Sequence, residues 1–390
     1  AYEAVKETLD RPDDPSAALV AINSDGHVKA MYGGNNFREQ KVNYAVGTDG
    51  GGTGRQPGSA FKPFVLAQAV HEGYTVQSAF KAPGRITIPK ANAGADWKVS
   101  NYGGGDKGVQ DLIQATKDST NTVYAQLMVE IGAEKVAALA KRMGIRSELP
   151  AVNSLALGTG EVSVIDLTSA YSVFANRGEL VEPVIITRIE TADGRVLEQL
   201  SPRRERVLSQ ETADIVTHCL RQVVERGTGT AARFGKPAAG KTGTTQHNGD
   251  AWFAGYTPRL TAVVWMGYPE GQQREMDSVH GRSVTGGSFP AEIWKKFMTD
   301  ATEGIDTGTF VPVRSFPGRR LNPTVRVEEP TTTTSSTTTS VPEESTTSST
   351  EPKESTTTST APGATSSTTA PPTTSTTGPT TTTTAPPTSP

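Results

Sequence analysis

The sequence predicts an α+β fold. Three pairs of strand-like segments are each joined by a short run of turn-forming residues, and six further segments have apolar residues at helical spacing. Strand-forming pairs lie near both ends of the ordered region with most of the helices between them. Strands and helices therefore do not alternate as they do in a βαβ fold, and we expect antiparallel sheet packed against helices.

The predicted strands form three hairpins. In chain order, the paired segments and the turns between them are 17–23 and 27–32 (Ser24-Asp25-Gly26), 183–190 and 195–200 (Asp193-Gly194), and 251–256 and 260–268 (Thr257-Pro258-Arg259). The third pair is the most apolar part of the chain, which predicts that it lies in the centre of the sheet.

Helical periodicity predicts six helices, several of which are followed by a glycine, as helix C-termini prefer. They cover residues 64–72, 109–116, 123–131, 134–143, 165–176 and 212–226. No internal repeat is visible before the C-terminal tail.

The C-terminal tail differs in composition from the rest of the chain. Residues 331–390 contain 27 Thr, 12 Ser and 9 Pro, and they contain no aromatic residue, Leu or Ile. Such a segment cannot bury enough apolar surface to fold, so we predict a disordered tail over residues 326–390 and a folded domain over residues 16–325. Residues 331–390 hold four Glu and one Lys, which account for the whole net charge of -3. The domain is thus electrically balanced, which argues against a nucleic-acid partner.

The cysteine content and the termini restrict the class of protein further. Cys219 is the only cysteine, which excludes a disulfide framework and a thiolate metal cluster, and we predict neither metal nor cofactor. The sequence has no stretch of about 18 apolar residues and no signal peptide, and it starts at Ala1, so we interpret it as a fragment or processed form. A Thr/Ser/Pro-rich tail is typical of extracellular or wall-spanning segments.

A hydroxyl and an amine lie three residues apart where a loop enters an apolar helix, at Ser59 and Lys62. At that spacing both side chains share one helix face. Ser59 would lie at the helix N-terminus, where backbone N–H groups stabilise an oxyanion, and Lys62 could accept its proton. Because an ordinary lysine pKa is about 10.4, this chemistry requires burial or a second positive charge near Lys62.

The same four-residue pattern recurs at Ser78 and Lys81. Residues 82–84 (APG) follow it and would break a helix, so the amine would not be held on the hydroxyl's face. We therefore do not expect Ser78 to be a nucleophile.

The segment 241–245 (KTGTT) precedes the apolar hairpin and consists of strand-forming residues around a glycine. Without a side chain, Gly243 lets another backbone come close, and on an edge strand this would admit an extended peptide. Lys241 would supply the second positive charge and, with the hydroxyl of Thr242 or Thr244, would bind a substrate carboxylate. Alternatively, the segment is only a polar turn before a strand.

Five residues that favour caps and turns, 118–122 (DSTNT), separate two predicted helices. They form either a simple helix junction or a functional turn. In the second interpretation Ser119 relays a proton to the leaving group, and the Asn121 amide holds a substrate carbonyl or Lys62.

These three motifs and their surroundings resemble the transpeptidase domain of a bifunctional (class A) penicillin-binding protein, in the superfamily that includes serine β-lactamases. The order Ser59, Ser119, Lys241 is that of the family, and the resemblance spans about residues 15–300. The segments that carry it are 55–64 (RQPGSAFKPF), 119–121 (STN), 156–162 (ALGTGEV), 240–245 (GKTGTT), 250–258 (DAWFAGYTP) and 285–287 (TGG).

The resemblance implies an acyl transfer in which Ser59 attacks the D-Ala-D-Ala bond of a peptidoglycan stem peptide, D-Ala leaves, and an amine of a second stem peptide takes the acyl group. It also implies inhibition by β-lactam antibiotics, an oxyanion hole formed by the N–H groups of Ser59 and Thr244, and a location outside the bacterial cytoplasm. The implied fold is a central antiparallel sheet covered by helices beside an all-helical lobe. The residues it assigns are catalytic Ser59, Lys62, Ser119, Asn121 and Lys241, and substrate-binding Thr242, Gly243 and Thr244.

Bifunctional members of this family also carry an upstream glycosyltransferase domain with a membrane anchor. Residues 1–15 would then be the linker stub from that domain. Contact with the membrane would be made only by that upstream region. No motif identifies the side chains that bind the acceptor amine.

Three other functions share this nucleophile site. A β-lactamase is disfavoured because the Glu-x-x-Leu-Asn pattern of that family is absent from the sequence. A DD-carboxypeptidase or endopeptidase would use the same acyl-enzyme, and a non-catalytic sensor or structural wall module would only bind penicillin. The five histidines are scattered, so no Ser-His-Asp arrangement competes, and His247 is expected to be a solvated loop residue.

Overall fold

A computed structural model of the protein describes residues 1–34 and 41–325, so the predicted disorder of residues 326–390 lies outside the described residues. Within the described residues the strands are β1 (Ser16–Asn23), β2 (Val28–Tyr32), β3 (Ala79–Lys81), β4 (Arg85–Asn92), β5 (Ala95–Ser100), β6 (Val109–Asp111), β7 (Glu179–Val181), β8 (Arg188–Glu190), β9 (Val196–Gln199), β10 (Arg204–Arg206), β11 (Ala239–Thr244), β12 (Asp250–Tyr256) and β13 (Leu260–Gly267).

The α-helices of the same residues are α1 (Tyr2–Lys6), α2 (Lys62–His71), α3 (Leu112–Lys117), α4 (Asn121–Ile131), α5 (Ala133–Arg142), α6 (Val164–Ala175), α7 (Gln210–Arg226) and α8 (Phe289–Ala301). All six predicted helices are present, five of them within two residues of the predicted bounds. The N-terminus of α6 is capped by Ser163, whose hydroxyl accepts the N–H of Asp166, and that of α7 by Ser209, whose hydroxyl accepts the N–H of Thr212.

A five-stranded antiparallel sheet in the order β11-β12-β13-β1-β2 forms the centre of the domain. The two hairpins predicted at the ends of the ordered region therefore meet in one sheet, where β1 pairs with β13 along its whole length. The apolar hairpin β12–β13 lies in its middle, as predicted, and the segment 241–245 supplies edge strand β11. The α+β fold class is confirmed.

Both faces of the sheet are buried. Along β1, alternate residues face two different cores, with Ala18, Val20 and Ile22 on one side and Ala17, Leu19 and Ala21 on the other. Helix α6 packs against one face, and α8 packs against the other. Helix α1 packs on α8, with Ala4 and Val5 buried, so the segment predicted as a linker stub contains a helix docked on the domain.

Two predictions need correction. Residues 109–111 are not helical, because they pair with β3 as strand β6, and Asp111 then caps α3 by accepting the N–H of Gln114 at 2.8 Å. The strand predicted over 183–190 is shorter, since only Arg188–Glu190 pairs in the exposed β8–β9 hairpin, while Val184 makes a single bridge to His27.

Helix α8 and the small sheets β3–β6, β4–β5 and β7–β10 were not predicted. The two sheets β3–β6 and β4–β5 pack against helices α3 and α4. In the part of the chain that the structure describes, no helix combines the length and apolar character that crossing a membrane requires.

Candidate active site

Ser59 lies in a 3₁₀ turn, Gly58–Phe61, that runs directly into helix α2. Pro63 falls in the first turn of α2, where its missing N–H is not needed for an intrahelical bond. Tyr171 of α6 donates a hydrogen bond of 2.7 Å to the carbonyl of Ala60, and the Trp252 indole donates one of 2.8 Å to the carbonyl of Gln56. The turn that presents the hydroxyl is thus held from two directions.

Glycines bring the backbone of two other segments against this turn. Gly58 has φ +55°, and a Cβ there would lie 2.6 Å from the carbonyl oxygen of Thr244. A Cβ on Gly158, which has φ +74°, would overlap backbone atoms of Gly58. The segment 156–162 therefore supports the nucleophile turn, and only glycine fits at these contacts.

The backbone that comes close to Gly243 in the structure belongs to the Ser59 turn of the same chain. We expected its missing side chain to admit an extended substrate peptide. Instead, a Cβ on Gly243 would overlap the carbonyl oxygen of Pro57 and lie 3.0 Å from Cβ of Ala60. Strand β11 is indeed at the edge of the sheet, but this glycine serves to seat the Ser59 turn against the strand.

Lys62 is fully buried, and its amine is surrounded by the turn between α3 and α4. The Nζ atom donates to the carbonyl of Ser119 and to Oδ1 of Asn121, both at 2.7 Å, and lies 3.3 Å from Ser119 Oγ. Of the two predicted partners of Asn121, a substrate carbonyl or Lys62, the structure shows the contact with Lys62. The Tyr124 ring lies 5.4 Å from the same nitrogen.

Lys241 of β11 is also fully buried and reaches the same serine. Its Nζ donates to Ser119 Oγ at 2.8 Å and to the carbonyl of Thr242 at 3.0 Å. Ser119 is therefore shared by two lysines, and it adopts φ +54°, a left-handed conformation that disfavours a residue with a side chain. Such strain at a non-glycine residue is frequent in active sites.

Burial and neighbouring charge act on both amines in the same direction. Burial lowers the pKa of Lys62 well below its ordinary value, and the charges of Lys241 and Lys107 lower it further. Burial together with the charge of Lys107 lowers the pKa of Lys241 to about 7. The motifs predicted burial or a second cation near Lys62 and assigned that cation to Lys241, but they did not point to Lys107.

Lys107 is a residue of the candidate site that the sequence motifs did not reveal. It comes from a glycine-rich loop between β5 and β6 and donates to the carbonyl of Asp118 at 3.2 Å. A single lysine in such a loop has no pattern that distinguishes it from a solvated side chain. Its location beside the site depends on how β6 packs next to the turn at residues 118–121, and the sequence alone does not show that packing.

A cleft of about 440 Å³ opens beside these groups. Its walls include Ser59, Ser119, Asn121, Thr242, Thr244, Lys107, Tyr102 and Thr285. Ser59 Oγ faces this cleft without a hydrogen bond to any described residue, because the Lys62 amine is turned toward Ser119 and Asn121. The volume lies within the range of about 300–1,000 Å³ that is usual for ligand pockets.

Two threonines of β11 line the cleft, and each contacts a different neighbouring segment. The Thr242 hydroxyl lies 2.7 Å from that of Thr228, which follows α7, and the Thr244 hydroxyl accepts the N–H of Gly286 at 3.1 Å. The segments 226–229 and 285–287 therefore fix the outer side of the strand.

Arg55 and Asp250 form a buried pair close to the Ser59 turn. The Arg55 guanidinium stacks 4.9 Å from the Trp265 ring centre and lies 3.9 Å from Asp250, while Trp265 donates to the same carboxylate at 2.9 Å. Backbone hydrogen bonds in both directions join Arg55 to Val162. The buried pair ties the segment that precedes the Ser59 turn to the central sheet.

Ser78 has a structural role. It is fully buried, donates to the carbonyl of Thr75 at 2.7 Å, and accepts the N–H of Leu321 at 2.9 Å. Its hydroxyl is occupied by backbone groups and does not line the cleft, as the sequence analysis expected. His247 has an exposed side chain that pairs with Glu275 at 3.0 Å, as expected of a loop residue.

One group of potential metal ligands occurs among residues 1–34 and 41–325, formed by Asp10, Asp14 and His280. His280 Nε2 lies 2.7 Å from Asp14 Oδ1, so these two atoms already satisfy each other. None of the three residues lines the cleft.

A family model described as the penicillin binding protein transpeptidase domain matches residues 17–299. Among curated relatives, penicillin-binding protein 1A of Neisseria gonorrhoeae is 36% identical over 298 residues, covering 74% of this chain and 36% of the relative. The chain thus spans just over a third of the length of that relative.

Solved structures agree with this match. PonA1 of Mycobacterium tuberculosis in complex with penicillin V has a TM-score of 0.71 and 30% identity, with 82% of this chain and 86% of that chain covered. The D,D-transpeptidase domain of a peptidoglycan glycosyltransferase from Eggerthella lenta has a TM-score of 0.63 and 25% identity, with coverage of 77% and 80%.

Proposed function

This chain belongs to the penicillin-binding protein transpeptidase family, and on that premise we propose that it is a serine-type DD-transpeptidase that cross-links peptidoglycan stem peptides. The observation that carries the proposal is the buried cluster of Lys62, Ser119 and Lys241 beside the free hydroxyl of Ser59. Its place of action would be the outer face of the bacterial cell membrane or the cell wall.

Acylation of Ser59 would be the first half of the reaction. Ser59 Oγ attacks the carbonyl carbon of the D-Ala-D-Ala bond, and neutral Lys62 takes the hydroxyl proton. The developing oxyanion would be held by the N–H groups of Ser59 and Thr244, which close contacts between their two segments bring together. A proton passed through Ser119 lets the terminal D-Ala leave as an amine.

The donor's terminal carboxylate would bind at β11. Lys241 and the hydroxyls of Thr242 and Thr244 offer one cation and two hydrogen-bond donors on the same strand. A β-lactam would occupy the same place, acylate Ser59 and leave slowly, because the sequence lacks the deacylating carboxylate pattern of a β-lactamase.

The experiment that tests the nucleophile is intact-mass spectrometry after incubation with benzylpenicillin, followed by peptide mapping. We expect one adduct on Ser59, which the Ser59→Ala variant loses. Ser78→Ala is the matched control, because it removes a serine from the same Ser-x-x-Lys pattern while leaving the cleft intact. An adduct that persists in Ser59→Ala, or one that is lost in Ser78→Ala from a folded sample, would contradict the assignment.

The fate of the acyl group decides among the alternatives. A transpeptidase joins the stem peptide to an amine, whereas a carboxypeptidase or endopeptidase transfers it to water. Incubation with a stem peptide that ends in D-Ala-D-Ala, with and without an amine acceptor, separates these products by chromatography. An adduct that forms on Ser59 without any turnover of stem peptide would point to a sensor or structural module.

A further inference from the structure

A second cavity of about 610 Å³ adjoins the catalytic cleft. The two cavities share Lys107, Asp118 and Thr228 as lining residues, so a ligand in the second cavity can reach the wall of the first. The N–H of Thr228 donates to the carbonyl of Lys117 at 3.3 Å, which fixes the C-terminal end of α7 against the turn that carries Ser119.

The second cavity has an excess of positive charge. Asp118 is its one carboxylate, and this group is already occupied, because Oδ2 accepts hydrogen bonds from Gln110 and Gln114 at 2.9 and 2.7 Å. Its Oδ1 lies 3.3 Å from the Lys117 amine. The negative charge of Asp118 is thus already balanced by the Lys117 amine and by the hydrogen bonds from the two glutamines.

The two cations of the cavity have no such partner. Lys107 donates only to uncharged oxygens, the carbonyl of Asp118 at 3.2 Å and the hydroxyl of Thr120 at 3.5 Å. Arg226, the exposed last residue of α7, makes no ion pair or hydrogen bond through its guanidinium to any described residue. Two cations that face one cavity and have no carboxylate partner among the described residues form a site for an anion.

Resting on the proposed transpeptidase function, we propose that this cavity binds the acceptor peptide, with Lys107 and Arg226 holding a carboxylate next to the attacking amine. The amine nitrogen attacks the acyl carbon on Ser59, a C–N bond forms, and the ester bond to Ser59 Oγ breaks. The nitrogen gives up one proton, which returns to Ser59 Oγ. Nearby cations favour the neutral amine, the form that can attack.

The test uses the full chain, an N-acylated D-alanyl thioester as donor, and two acceptors that differ in one group. D-alanine carries the carboxylate that the site should bind, and D-alaninamide lacks it. For each protein, release of thiol reports acylation, and the ratio of aminolysis to hydrolysis product reports use of the acceptor.

In the Arg226→Glu variant we expect the half-saturating concentration of D-alanine to rise about tenfold, because a charge-assisted hydrogen bond is lost and replaced by repulsion. That of D-alaninamide should change by less than about twofold. Arg226→Lys keeps the charge and should stay close to wild type with both acceptors. Arg195→Glu is the matched control, since it makes the same charge change at an exposed position of the β8–β9 hairpin.

Each contrary outcome has its own meaning. Normal acylation with an unchanged response to D-alanine in Arg226→Glu would overturn the acceptor site and leave the proposed function standing. An equal loss with both acceptors would also overturn it, because the effect would not depend on a carboxylate. Failure of the wild-type protein to form an acyl-enzyme would overturn the proposed function itself, and the acceptor site with it.

Discussion

Lys62 and Lys241 are fully buried within hydrogen-bonding distance of the same Ser119 hydroxyl. Two buried ammonium groups with no carboxylate partner in the described part of the chain would be costly, so the folded protein favours proton loss from at least one of them. A neutral lysine next to a charged one is the arrangement that the proposed general-base chemistry at Ser59 needs. Under the proposed function, the burial that makes the site costly to fold would therefore also make it reactive.

The pH dependence of acylation tests this coupling. The rate of benzylpenicillin acylation should rise with pH as Lys62 loses its proton, because only the neutral amine can take the proton of Ser59. Burial is the main cause of the lowered pKa of Lys62, and the charge of Lys241 is the second. The Lys241→Met variant keeps the burial and removes the charge, so the midpoint of the rising limb should move to higher pH.

Acylation rates measured between pH 5 and 10 by stopped-flow or mass spectrometry would show that shift. The midpoint is the relevant readout, because loss of the carboxylate-binding cation lowers the rate at every pH. Lys62→Ala is the companion variant and should lower acylation by about 10²–10⁴-fold with no rising limb from this group. A midpoint in Lys241→Met that equals that of the wild type would contradict the coupling.

At the level of single residues, the sequence was informative where a chemical pattern spans several positions. Ser59, Lys62, Ser119, Asn121 and Lys241 come together in the structure as their motifs suggested. Lys107 and Arg226 stand alone in sequence, and their positions beside the cleft depend on how β6 and the end of α7 pack. The left-handed backbone of Ser119 was likewise not visible from its residue type.

Among the elements, the turn that carries Ser59 depends on contacts between main chains. The segments at Gly158 and Gly243 lie so close to it that a Cβ at either position would overlap backbone atoms of the turn. This explains why the segment 156–162 accompanies the catalytic motifs although none of its side chains was assigned a chemical role.

Gly158→Ala tests the role of this contact. The added methyl group meets backbone atoms of Gly58, and φ +74° disfavours alanine. We expect the free energy of unfolding to fall by at least about 2 kcal/mol and the acylation rate to fall with it, because the Ser59 turn must shift. Denaturant unfolding and benzylpenicillin acylation measure the two effects.

Gly105→Ala serves as the control for that substitution. Gly105 has open space around its missing Cβ and no left-handed φ, so its replacement should change stability by no more than about 0.5 kcal/mol. If Gly158→Ala resembled Gly105→Ala in both measurements, the segment 156–162 would not support the turn.

Elements that form from their own local pattern were easier to predict from the sequence than elements that need a distant partner. Helices such as α5 and α7 were predicted from their own periodicity. Residues 109–111 were assigned to a helix because the competing partner, β3, is distant in sequence. Helix α8 was missed although Phe289, Ile293, Trp294 and Phe297 repeat at helical spacing and are buried, so in that case the signal was present.

In the molecule as a whole, the candidate catalytic cleft lies where the edge strand β11 meets helices α2 and α4. The sheet is covered on both faces, which leaves its edge as the part that an extended peptide can approach. The sequence predicted the sheet and the helices, but the meeting of three motifs at one edge came from the resemblance, because periodicity does not determine how distant segments assemble.

Removal of residues 331–390 tests the extent of the functional unit. Composition alone predicts that this segment, which lies outside the described residues, contributes nothing to the fold or the site. The truncated protein should keep the melting temperature and the benzylpenicillin acylation rate of the full chain. A drop in either, measured by thermal unfolding and intact mass, would show that the tail takes part in the domain.

The glycine contacts around Ser59 also bear on how β-lactam resistance could arise in this protein. Because the turn is positioned by backbone atoms, few substitutions at these positions can redirect the serine without disrupting the fold. Selection by the drug would then act mainly on the cleft walls, at residues such as Tyr102 and Thr285. Under the proposed function the stem peptide would pass the same walls, so escape from the antibiotic would be limited by the need to keep that substrate bound.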